Sequence, residues 1–376
     1  MIKKIKICFI CLGVRPLFEP KDKRTFGGAE VQLALLGKAL AGFPDFEISF
    51  VVADVGQDSV ETYGKIKLHK GIKMEKYLSI FRRLAHPKPL ALAYLMRKIN
   101  PDIFIQRSAS AGTGLICFMA HLLKKKFVYM TAHEIDCNGE FEAQNRGPKG
   151  KFFQYGIRHA DLVVTQSAEH RRMIRAHHGR ESVVIKSMYK IPPESDLQDV
   201  DKDIILWVGR VEDWKQPEVF IELASHFPKE KFVMVAPASN NQPTYYEKVK
   251  RRLESAPNVE HIPYVPFSEI DGYFRRAKAY VMTSRYEGFP NTFVQAAKNK
   301  TPILSLCVNP DGMLEKYQCG LFANHDVNLL KKQLSMLLNN KNLQQDYGKK
   351  AYQYAKTNHN IADIAERYKK LFTDLI

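Results

Sequence analysis

Hydrophobic positions along the chain fall into short continuous runs that alternate with longer amphipathic stretches. In the first half, the continuous runs predict strands at 5–10, 48–52, 103–105, 127–130 and 162–165. The amphipathic stretches between them predict helices at 29–41, 90–99, 115–123 and 168–177. Short apolar strands separated by helices are typical of a parallel sheet that is covered on both faces. The pattern therefore predicts an α/β domain.

The same alternation begins again in the second half of the chain. It predicts elements at 204–208, 217–226, 232–235, 245–254, 279–282, 292–299 and 303–306, and then helices at 327–339, 343–357 and 361–372. A stretch rich in proline and acidic residues predicts a linker at 191–202. We expect two Rossmann-like α/β domains, 1–190 and 203–358, facing each other across a cleft, with the final helix (about 360–376) returning to the first domain.

Length and composition agree with this division. The chain has 376 residues, more than one hydrophobic core usually supports, and 45% of them are hydrophobic. No apolar run approaches the roughly 20 residues of a membrane-spanning helix. The apolar run near the start predicts a buried strand rather than a signal peptide, because no small-residue cleavage site follows it. We therefore expect a cytoplasmic protein.

Six cysteines are scattered along the chain, and Cys8 and Cys11 form a C-x-x-C pair that could bind a metal or carry redox chemistry. On a strand, a spacing of three residues places two side chains on opposite faces. No second Cys or His pair follows at ligand spacing. We therefore expect reduced, buried thiols and no metal site.

The net charge of +17 is concentrated in the first half, where residues 1–200 contain 32 Lys and Arg against 20 Asp and Glu. Such a charge suits a membrane surface, a nucleic acid or a phosphorylated substrate. No nucleic-acid-binding motif accompanies it, so we expect no nucleic-acid partner. Basic and apolar residues interleave in 65–98, which predicts binding to an anionic membrane surface. The alternative is that the apolar residues face the core and the cations are solvated.

A first candidate site lies in residues 284–297, which follow one predicted strand and open a helix. Glu287 precedes the helix, Gly288 permits a tight turn and Pro290 sets the entry of the chain. The backbone amides around 291–293 then point back toward the end of the strand. A helix N-terminus of this kind binds anions, phosphates in particular. The alternative is that these residues only cap a helix.

A second candidate site follows the predicted strand at 204–208. Gly209 and Arg210 end the strand, and Lys215 comes five residues later. Two cations beyond one strand can hold a diphosphate, Arg through its fork of N–H donors and Lys as a point charge. Two solvated surface cations are the alternative.

Several segments, taken in order, resemble the retaining family 4 glycosyltransferases of the GT-B fold. In the second half these segments are Gly209-Arg210, Lys215-Gln-Pro-Glu218, Glu287-Gly-Phe-Pro-Asn291, Gln295-Ala296 and Thr301-Pro-Ile303. In the first half they are Phe26-Gly-Gly-Ala-Glu30, Thr131-Ala-His-Glu134 and Arg158-His-Ala-Asp161 with Val163, Val164 and Ser167. The matches extend from residue 5 to about residue 320 in the order expected for that family.

The resemblance implies a role for each matching residue. Arg210 and Lys215 would hold the donor diphosphate and stabilise it as a leaving group, and Glu287 would contact the transferred sugar. His133 would line the sugar site. The implied donor-binding residues are Gly27, Gly28, Gly209, Gly288, Phe289, Pro290, Asn291, Thr292 and Gln295. Family members have a second glutamate where this chain has Gln295, a neutral and weaker partner for a ribose hydroxyl.

The resemblance also implies an activity. It predicts retaining, metal-independent transfer of a sugar from a nucleotide-diphosphate sugar to a glycan or lipid-linked acceptor, without a cofactor. The pathway it suggests is cell-surface polysaccharide assembly, as in lipopolysaccharide or capsule, by a cytoplasmic enzyme that can lie peripherally on the membrane. The alternatives are a nucleotide-sugar-binding relative of epimerase or phosphorylase type, and a relative that has lost transfer activity.

Overall fold

A computed structural model describes residues 4–72, 87–197, 200–239 and 242–376. The chain divides into two compact units, one formed by Met1–Met188 with Ile361–Ile376 and the other by Tyr189–Asn360. Among the described residues, no helix combines the length and apolar character that crossing a membrane requires. Membrane binding was predicted for the segment 65–98. Residues 73–86 of that segment lie outside the described residues.

The first unit alternates strands and helices along the chain. Its strands are β1 (Ile5–Ile10), β2 (Phe46–Val52), β3 (Val60–Tyr63), β4 (Ile66–Lys70), β5 (Ile103–Arg107), β6 (Lys126–Met130), β7 (Leu162–Thr165) and β8 (Val183–Val184). Its helices are α1 (Gly28–Leu40), α2 (Pro87–Ile99), α3 (Gly112–Leu122), α4 (Glu140–Gln144), α5 (Pro148–His159) and α6 (Ala168–His178).

These strands form one sheet in the order β3-β4-β2-β1-β5-β6-β7-β8. All neighbours are parallel except β3, which pairs antiparallel with β4. The chain builds outward from β1 in one direction and, from β5 onward, in the other. The strand order therefore reverses between β1 and β5, and open parallel sheets bind ligands beyond the carboxyl ends of the strands at such a point.

The second unit is a smaller sheet with helices between its strands. Its strands are β9 (Ile204–Val208), β10 (Lys231–Val235), β11 (Val259–Ile262), β12 (Ala277–Met282), β13 (Ile303–Ser305) and β14 (Gly320–Phe322). Its helices are α7 (Pro217–Ser225), α8 (Pro243–Glu254), α9 (Ile270–Arg276), α10 (Asn291–Lys298), α11 (Met313–Lys316), α12 (Val327–Leu338) and α13 (Lys341–His359). The last helix of the chain, α14 (Ile361–Leu375), is part of the first unit.

The second sheet is parallel throughout and has the order β11-β10-β9-β12-β13-β14. Its strand order reverses between β9 and β12. Both segments that the sequence singled out for phosphate binding follow these two strands. The topology therefore brings them to one edge of one sheet.

Both faces of the first sheet are covered by apolar cores. One core contains Phe9 and Phe50 together with side chains from α1 and α14, including Phe372. The other contains Cys8 and side chains from α2, α3 and α5. Cys8 and Cys11 belong to different cores, as the strand spacing predicted, and burial raises the pKa of Cys8 to about 12. Burial also raises the pKa of Cys11, so both thiols stay protonated.

The predicted α/β alternation is confirmed, with differences in detail. The sequence pattern missed the β3–β4 hairpin, the short edge strands β8, β11 and β14, and helices α4, α5, α9 and α11, because short or mostly polar elements carry weak periodicity. The predicted linker 191–202 is grouped with the second unit, where the Tyr352 hydroxyl donates to the carbonyl of Pro192 at 2.9 Å and Lys300 pairs with Glu194 at 2.8 Å. This stretch is polar because it is exposed to solvent, and these contacts attach it to the second unit.

Candidate functional site

Hydrogen bonds tie the end of β9 and the loop that follows it to the loop after β12. The Trp207 indole N–H donates to the Thr283 hydroxyl at 2.9 Å, and that hydroxyl donates to the carbonyl of Lys215 at 2.6 Å. The backbone amide of Arg285 donates to the carbonyl of Trp214 at 2.8 Å. These bonds fix the position of the segment that carries Lys215 against the segment that carries Glu287.

Lys215 and Glu287 form an ion pair at this edge of the sheet. Their Nζ and Oε1 atoms are 2.6 Å apart, and only 14% and 13% of the two side chains is exposed. The Ser284 hydroxyl donates to the same Oε1 atom at 2.9 Å. The ammonium group also lies 4.0 Å from the centroid of the Trp214 ring, a favourable cation–π distance. A partly desolvated cation and carboxylate are therefore presented together.

Aromatic side chains on both loops cover this ion pair. The rings of Trp214 and Tyr286 stack with their centroids 5.4 Å apart and their planes 7° from parallel. Each ring directly precedes one member of the pair in the sequence. Sequence reasoning did not select these residues, although an aromatic residue before each charged residue was the signal that could have identified them.

Arg210 lies on the same loop in a more open position than Lys215. Its Nη2 atom is 3.5 Å from Oε1 of Glu212, and 38% of its side chain is exposed. The buried carboxylate of Glu212 also accepts a hydrogen bond from the Ser239 hydroxyl at 3.0 Å. Glu212, which the sequence analysis did not select, therefore orients the guanidinium group.

Gly209 is required by close packing at the end of β9. A Cβ atom at this position would lie 3.1 Å from the ring of Trp207 and 3.2 Å from Cδ of Lys215. A larger residue would push the Lys215 side chain away from Glu287. The requirement here is space, because the backbone of Gly209 is not in the left-handed region.

The N-terminus of α10 lies directly after the Glu287 loop. Gly288, Phe289 and Pro290 are buried, and Pro290 occupies the cap position with extended backbone angles. The Tyr280 hydroxyl donates to Oγ1 of Thr292 at 2.8 Å. Burial raises the pKa of Tyr280, so this phenol remains a hydrogen-bond donor. The first turn, with Asn291, therefore presents the positive end of the helix dipole at the edge where β9 and β12 end.

Gln295 lies one turn into α10 and is 6% exposed. The side-chain amide of Asn299 donates to its backbone carbonyl at 2.8 Å. The structure thus places Gln295 on the helix that follows Glu287. Its contact with a ribose stays a prediction.

The predicted glycines of the first unit lie at the start of α1, after β1. Gly27 caps the helix with extended backbone angles, and its amide donates to Oε2 of Glu30 at 3.0 Å. Gly28 is the first residue of the helix. A Cβ atom at Gly13 would lie 3.0 Å from Oε1 of Glu30, so this carboxylate also packs closely against the loop after β1.

His133 follows β6 in a loop that a buried carboxylate organises. The Asp136 carboxylate accepts from the backbone amides of Ala132 at 2.6 Å, His133 at 3.1 Å and Ala109 at 3.1 Å. Burial raises the pKa of Asp136, although these N–H donors oppose the rise. Nδ1 of His133 accepts from the amide of Ile135 at 3.4 Å. Asp136 was not predicted, yet it ties the His133 loop to the loop after β5.

A small polar cavity lies beneath this loop at the carboxyl ends of β5, β6 and β7. It has a volume of about 10 Å³, and Arg107, Thr131 and Gln166 are among the residues that line it. Within the described part of the chain, Nε of Arg107 and Oγ1 of Thr131 have no hydrogen-bond partner. The cavity has room for about one water molecule, which could satisfy both atoms.

Within the described ranges, no group of three or more His, Cys, Asp or Glu side chains is placed to hold a metal ion. The charged groups at the edge of the second sheet are instead the two cations and their carboxylate partners. The site can therefore bind an anionic group at Arg210, Lys215 and the start of α10, and a hydroxyl-bearing group at Glu287.

Comparison with known protein families gives a match in the second unit. A family described as "Glycosyl transferases group 1" matches residues 192–354. This segment contains Gly209, Arg210, Lys215 and the whole of 284–297. The resemblance to glycosyltransferases is therefore supported for the unit that contains the ion pair.

One curated relative is similar over nearly the whole chain. It is the GalNAc-α-(1→4)-GalNAc-α-(1→3)-diNAcBac-PP-undecaprenol α-1,4-N-acetyl-D-galactosaminyltransferase of Campylobacter jejuni. It is 21% identical over 368 residues, which cover 93% of this chain and 96% of the relative. The chain spans 47% to 60% of the length of the other curated relatives that it matches.

Solved structures support the fold over the whole chain. A sucrose-phosphate synthase from Thermosynechococcus elongatus superposes with a TM-score of 0.80 at 16% identity, covering 99% of both chains. The Anabaena protein HepE, solved in complex with UDP and glucose, superposes with a TM-score of 0.76 at 15% identity, covering 98% of this chain and 99% of that chain. The predicted GT-B fold, with two Rossmann-like α/β domains, is confirmed.

Proposed function

We propose that the protein is a glycosyltransferase that moves a sugar from a nucleotide-diphosphate sugar to a glycan or lipid-linked acceptor, with retention of anomeric configuration and without a metal ion. The observation that carries the proposal is the Lys215–Glu287 pair where the strand order of the second sheet reverses. The pair lies inside the segment that matches group 1 glycosyl transferases.

The proposed chemistry begins at the leaving group. As the bond between the anomeric carbon and the diphosphate breaks, negative charge accumulates on the phosphate oxygens. Lys215 and Arg210 supply positive charge there, together with the N-terminus of α10. Because these groups are held in place before the donor binds, they stabilise this charge with little reorganisation. The same cations supply the charge that a metal ion provides in other transferases.

The acceptor hydroxyl completes the reaction. Its oxygen forms a bond to the anomeric carbon on the face from which the diphosphate departs, and its proton passes to the departing phosphate. The products are the glycosylated acceptor and a nucleoside diphosphate. In this scheme Lys215 contacts the phosphates, and Glu287 contacts hydroxyls of the transferred sugar. His133, Gly27 and Gly28 of the first unit are proposed to line the sugar and phosphate positions.

The acceptor class and the place of action rest on the relatives. The Campylobacter jejuni relative is named for transfer to a saccharide on undecaprenol pyrophosphate. Another relative is named for amylovoran biosynthesis in Erwinia amylovora. These names support a role for this protein in assembling a polysaccharide or a lipid-linked glycan. We propose in addition that it acts on a cell-surface polysaccharide at the cytoplasmic side of a membrane.

The first test is a thermal-shift screen with UDP, GDP, ADP and their common sugars, each with and without EDTA. HepE was solved with UDP and glucose, which makes UDP the first nucleotide to examine. We expect one nucleotide family to raise the unfolding temperature and EDTA to leave the shift unchanged. Loss of the shift or of turnover in EDTA would contradict the metal-independent scheme.

Gln295 allows a further test of donor binding. If Gln295 contacts the ribose, Gln295→Glu restores a charged partner and should keep or improve nucleotide affinity. A large loss of affinity would contradict the ribose role. If no nucleotide shifts either variant at millimolar concentration, the alternative of a relative without transfer activity is favoured.

A further inference from the structure

Arg107 is a cation at the end of β5 that has no carboxylate partner. Within the described part of the chain it takes part in no ion pair, and its Nε atom is buried without a hydrogen-bond partner. With the Gln166 amide oriented to satisfy both of its ends, Nη2 of Arg107 donates to the amide oxygen at 2.6 Å. That partner is neutral. Because a guanidinium group is always charged in proteins, a positive charge is left here without a counter-ion.

Acidic side chains of the first unit do not neutralise this charge. Burial lowers the pKa of Arg107, and it outweighs the attraction of nearby acidic groups, among them the carboxylates of Asp136 and Glu30. Both carboxylates are engaged with backbone amides, Asp136 with three of them and Glu30 with the amide that caps α1. By contrast, Arg15 pairs with Glu61 at 2.7 Å, and this hydrogen bonding raises the pKa of Arg15. Arg107 thus lacks the pairing that buried charges normally have.

Arg107 lines the cavity of about 10 Å³ that lies beneath the His133 loop. Lys186 lines it as well, and among the described residues around the cavity none is acidic. The hydroxyls of Thr131 and Tyr368 add uncharged donors to the lining. That of Thr131 has no hydrogen-bond partner, and burial raises the pKa of Tyr368, so this phenol keeps its proton. The lining therefore supplies positive charge together with N–H and O–H donors.

We propose that this cavity binds one small monovalent anion of halide size. A water molecule could accept from these donors, but it carries no charge to offset the guanidinium group. A halide ion accepts from every donor and also neutralises the charge. A cavity with room for about one water molecule excludes phosphate, sulfate and sugar carboxylates. The inference goes beyond the proposed function, because it uses no residue of the donor site.

The proposed anion joins parts of the first unit that are far apart in the chain. Arg107 ends β5, Thr131 directly follows β6, and Tyr368 lies on α14. One ion that accepts from all three holds the last helix against the ends of two strands. Because it binds the folded unit and not the unfolded chain, it stabilises this unit by mass action.

The test is thermal unfolding of the full chain, followed by circular dichroism in mixtures of sodium chloride and sodium gluconate. The total ionic strength is kept constant, so that screening of surface charges does not change. Gluconate is too large for the cavity. Above the Kd, each tenfold increase in chloride should raise the unfolding temperature of the first unit by roughly 3–6 °C. An unfolding temperature that does not depend on chloride would overturn the proposal.

Two variants connect the chloride effect to the cavity. Arg107→Gln removes the charge and should abolish the chloride dependence. Tyr368→Phe keeps the ring and removes one donor, so it should weaken chloride binding about tenfold, the scale of one hydrogen bond to a charged group. It also decides the question if the glutamine variant does not fold. Arg97→Gln and Tyr94→Phe make the same changes at exposed positions of α2, and both should keep the full chloride effect.

Bromide provides a direct view of the site, because its anomalous scattering locates it in crystals. We expect a bromide peak within hydrogen-bond distance of Nε of Arg107, and bromide only at the protein surface would contradict the assignment. If phosphate stabilises the protein and Arg107→Gln removes that effect, the site binds oxyanions and the halide assignment is wrong. Lys215→Ala should keep the chloride dependence, so this result is separate from the fate of the proposed function.

Discussion

At the scale of single residues, the second unit holds its reactive groups before any ligand is present. Lys215 is fixed by Glu287 and the Trp214 ring, whereas Arg210 pairs with Glu212 at a longer distance and its side chain is more than twice as exposed. Charges at a partly buried position interact more strongly than charges surrounded by water. Lys215 should therefore contribute more to stabilising a diphosphate than Arg210.

We expect Lys215→Ala to lower turnover by on the order of 10²–10³, because one preorganised electrostatic group is lost. The loss of turnover in Arg210→Ala should be at the lower end of that range, because water screens the charge of this more exposed side chain. The measurement is steady-state kinetics with the donor identified by thermal shift. Lys332→Ala, which removes an exposed cation of the same unit, is the control. Near-normal turnover of Lys215→Ala would rule out the phosphate-binding role.

A second residue-scale prediction concerns acid stability. Hydrogen bonds from Arg24, reinforced by Arg15, lower the pKa of Asp22 to about 2 from an ordinary value of 3.8. The stabilisation is therefore complete above about pH 4 and is lost as the pH falls toward 2. Asp22→Asn should lower the unfolding free energy by about 2 kcal/mol at neutral pH. Urea unfolding at both pH values tests this, and a difference that persists at pH 2 would contradict it.

At the scale of elements, glycines allow α3 and α5 to approach each other closely. A Cβ atom at Gly114 would lie 2.0 Å from the carbonyl oxygen of Phe152, and one at Gly156 would lie 2.7 Å from the backbone of Thr113. Both obstacles are backbone atoms, which cannot move aside without shifting a whole helix. The two glycines therefore allow α3 and α5 to cross with their backbones in close contact.

Gly114→Ala should lower the unfolding free energy of the first unit by roughly 3 kcal/mol, through overpacking against α5. Gly112→Ala in the same helix is the control, because its Cβ would meet only the Ser110 hydroxyl, at 3.3 Å. We expect that variant to change stability by less than about 1 kcal/mol. Equal effects of the two substitutions in chemical denaturation would show that the close approach is not the cause.

At the scale of the whole molecule, the chain forms two units with separate cores, and its last helix belongs to the first. Phe372 of α14 is fully buried in the first core, and Leu334 of α12 is fully buried in the second. The two tryptophans of the chain, Trp207 and Trp214, both lie in the second unit. Tryptophan fluorescence therefore reports on one unit, while circular dichroism reports on both.

We expect Phe372→Ala to cost about 3–5 kcal/mol in the first unit and to leave the tryptophan-monitored urea midpoint unchanged. Leu334→Ala should instead lower the unfolding free energy of the second unit by about 2–5 kcal/mol, and the tryptophan-monitored urea midpoint should fall accordingly. The physical reason is that each cavity opens in only one of the two cores. Equal shifts of the fluorescence midpoint in both variants would mean that the units unfold as one.

The sequence by itself determined the elements and the candidate chemistry. The apolar pattern identified ten of the strands and helices of the second half within a few residues of their observed bounds, because periodicity records which side chains are buried. Glu287 and Lys215 were selected from their positions after predicted strands, together with the family resemblance. These inferences needed only local information, since a strand end and a helix start lie within a few residues of each other.

Tertiary structure alone decided which of these segments meet. Lys215 and Glu287 are 72 residues apart, and their contact depends on β9 and β12 being neighbours in the sheet. The stacking of Trp214 on Tyr286 and the three amides held by Asp136 depend on packing in the same way. Periodicity shows that a strand is buried but not which strand lies beside it, because partners distant in the chain leave no local pattern. Strand order therefore turned separate motifs into one site.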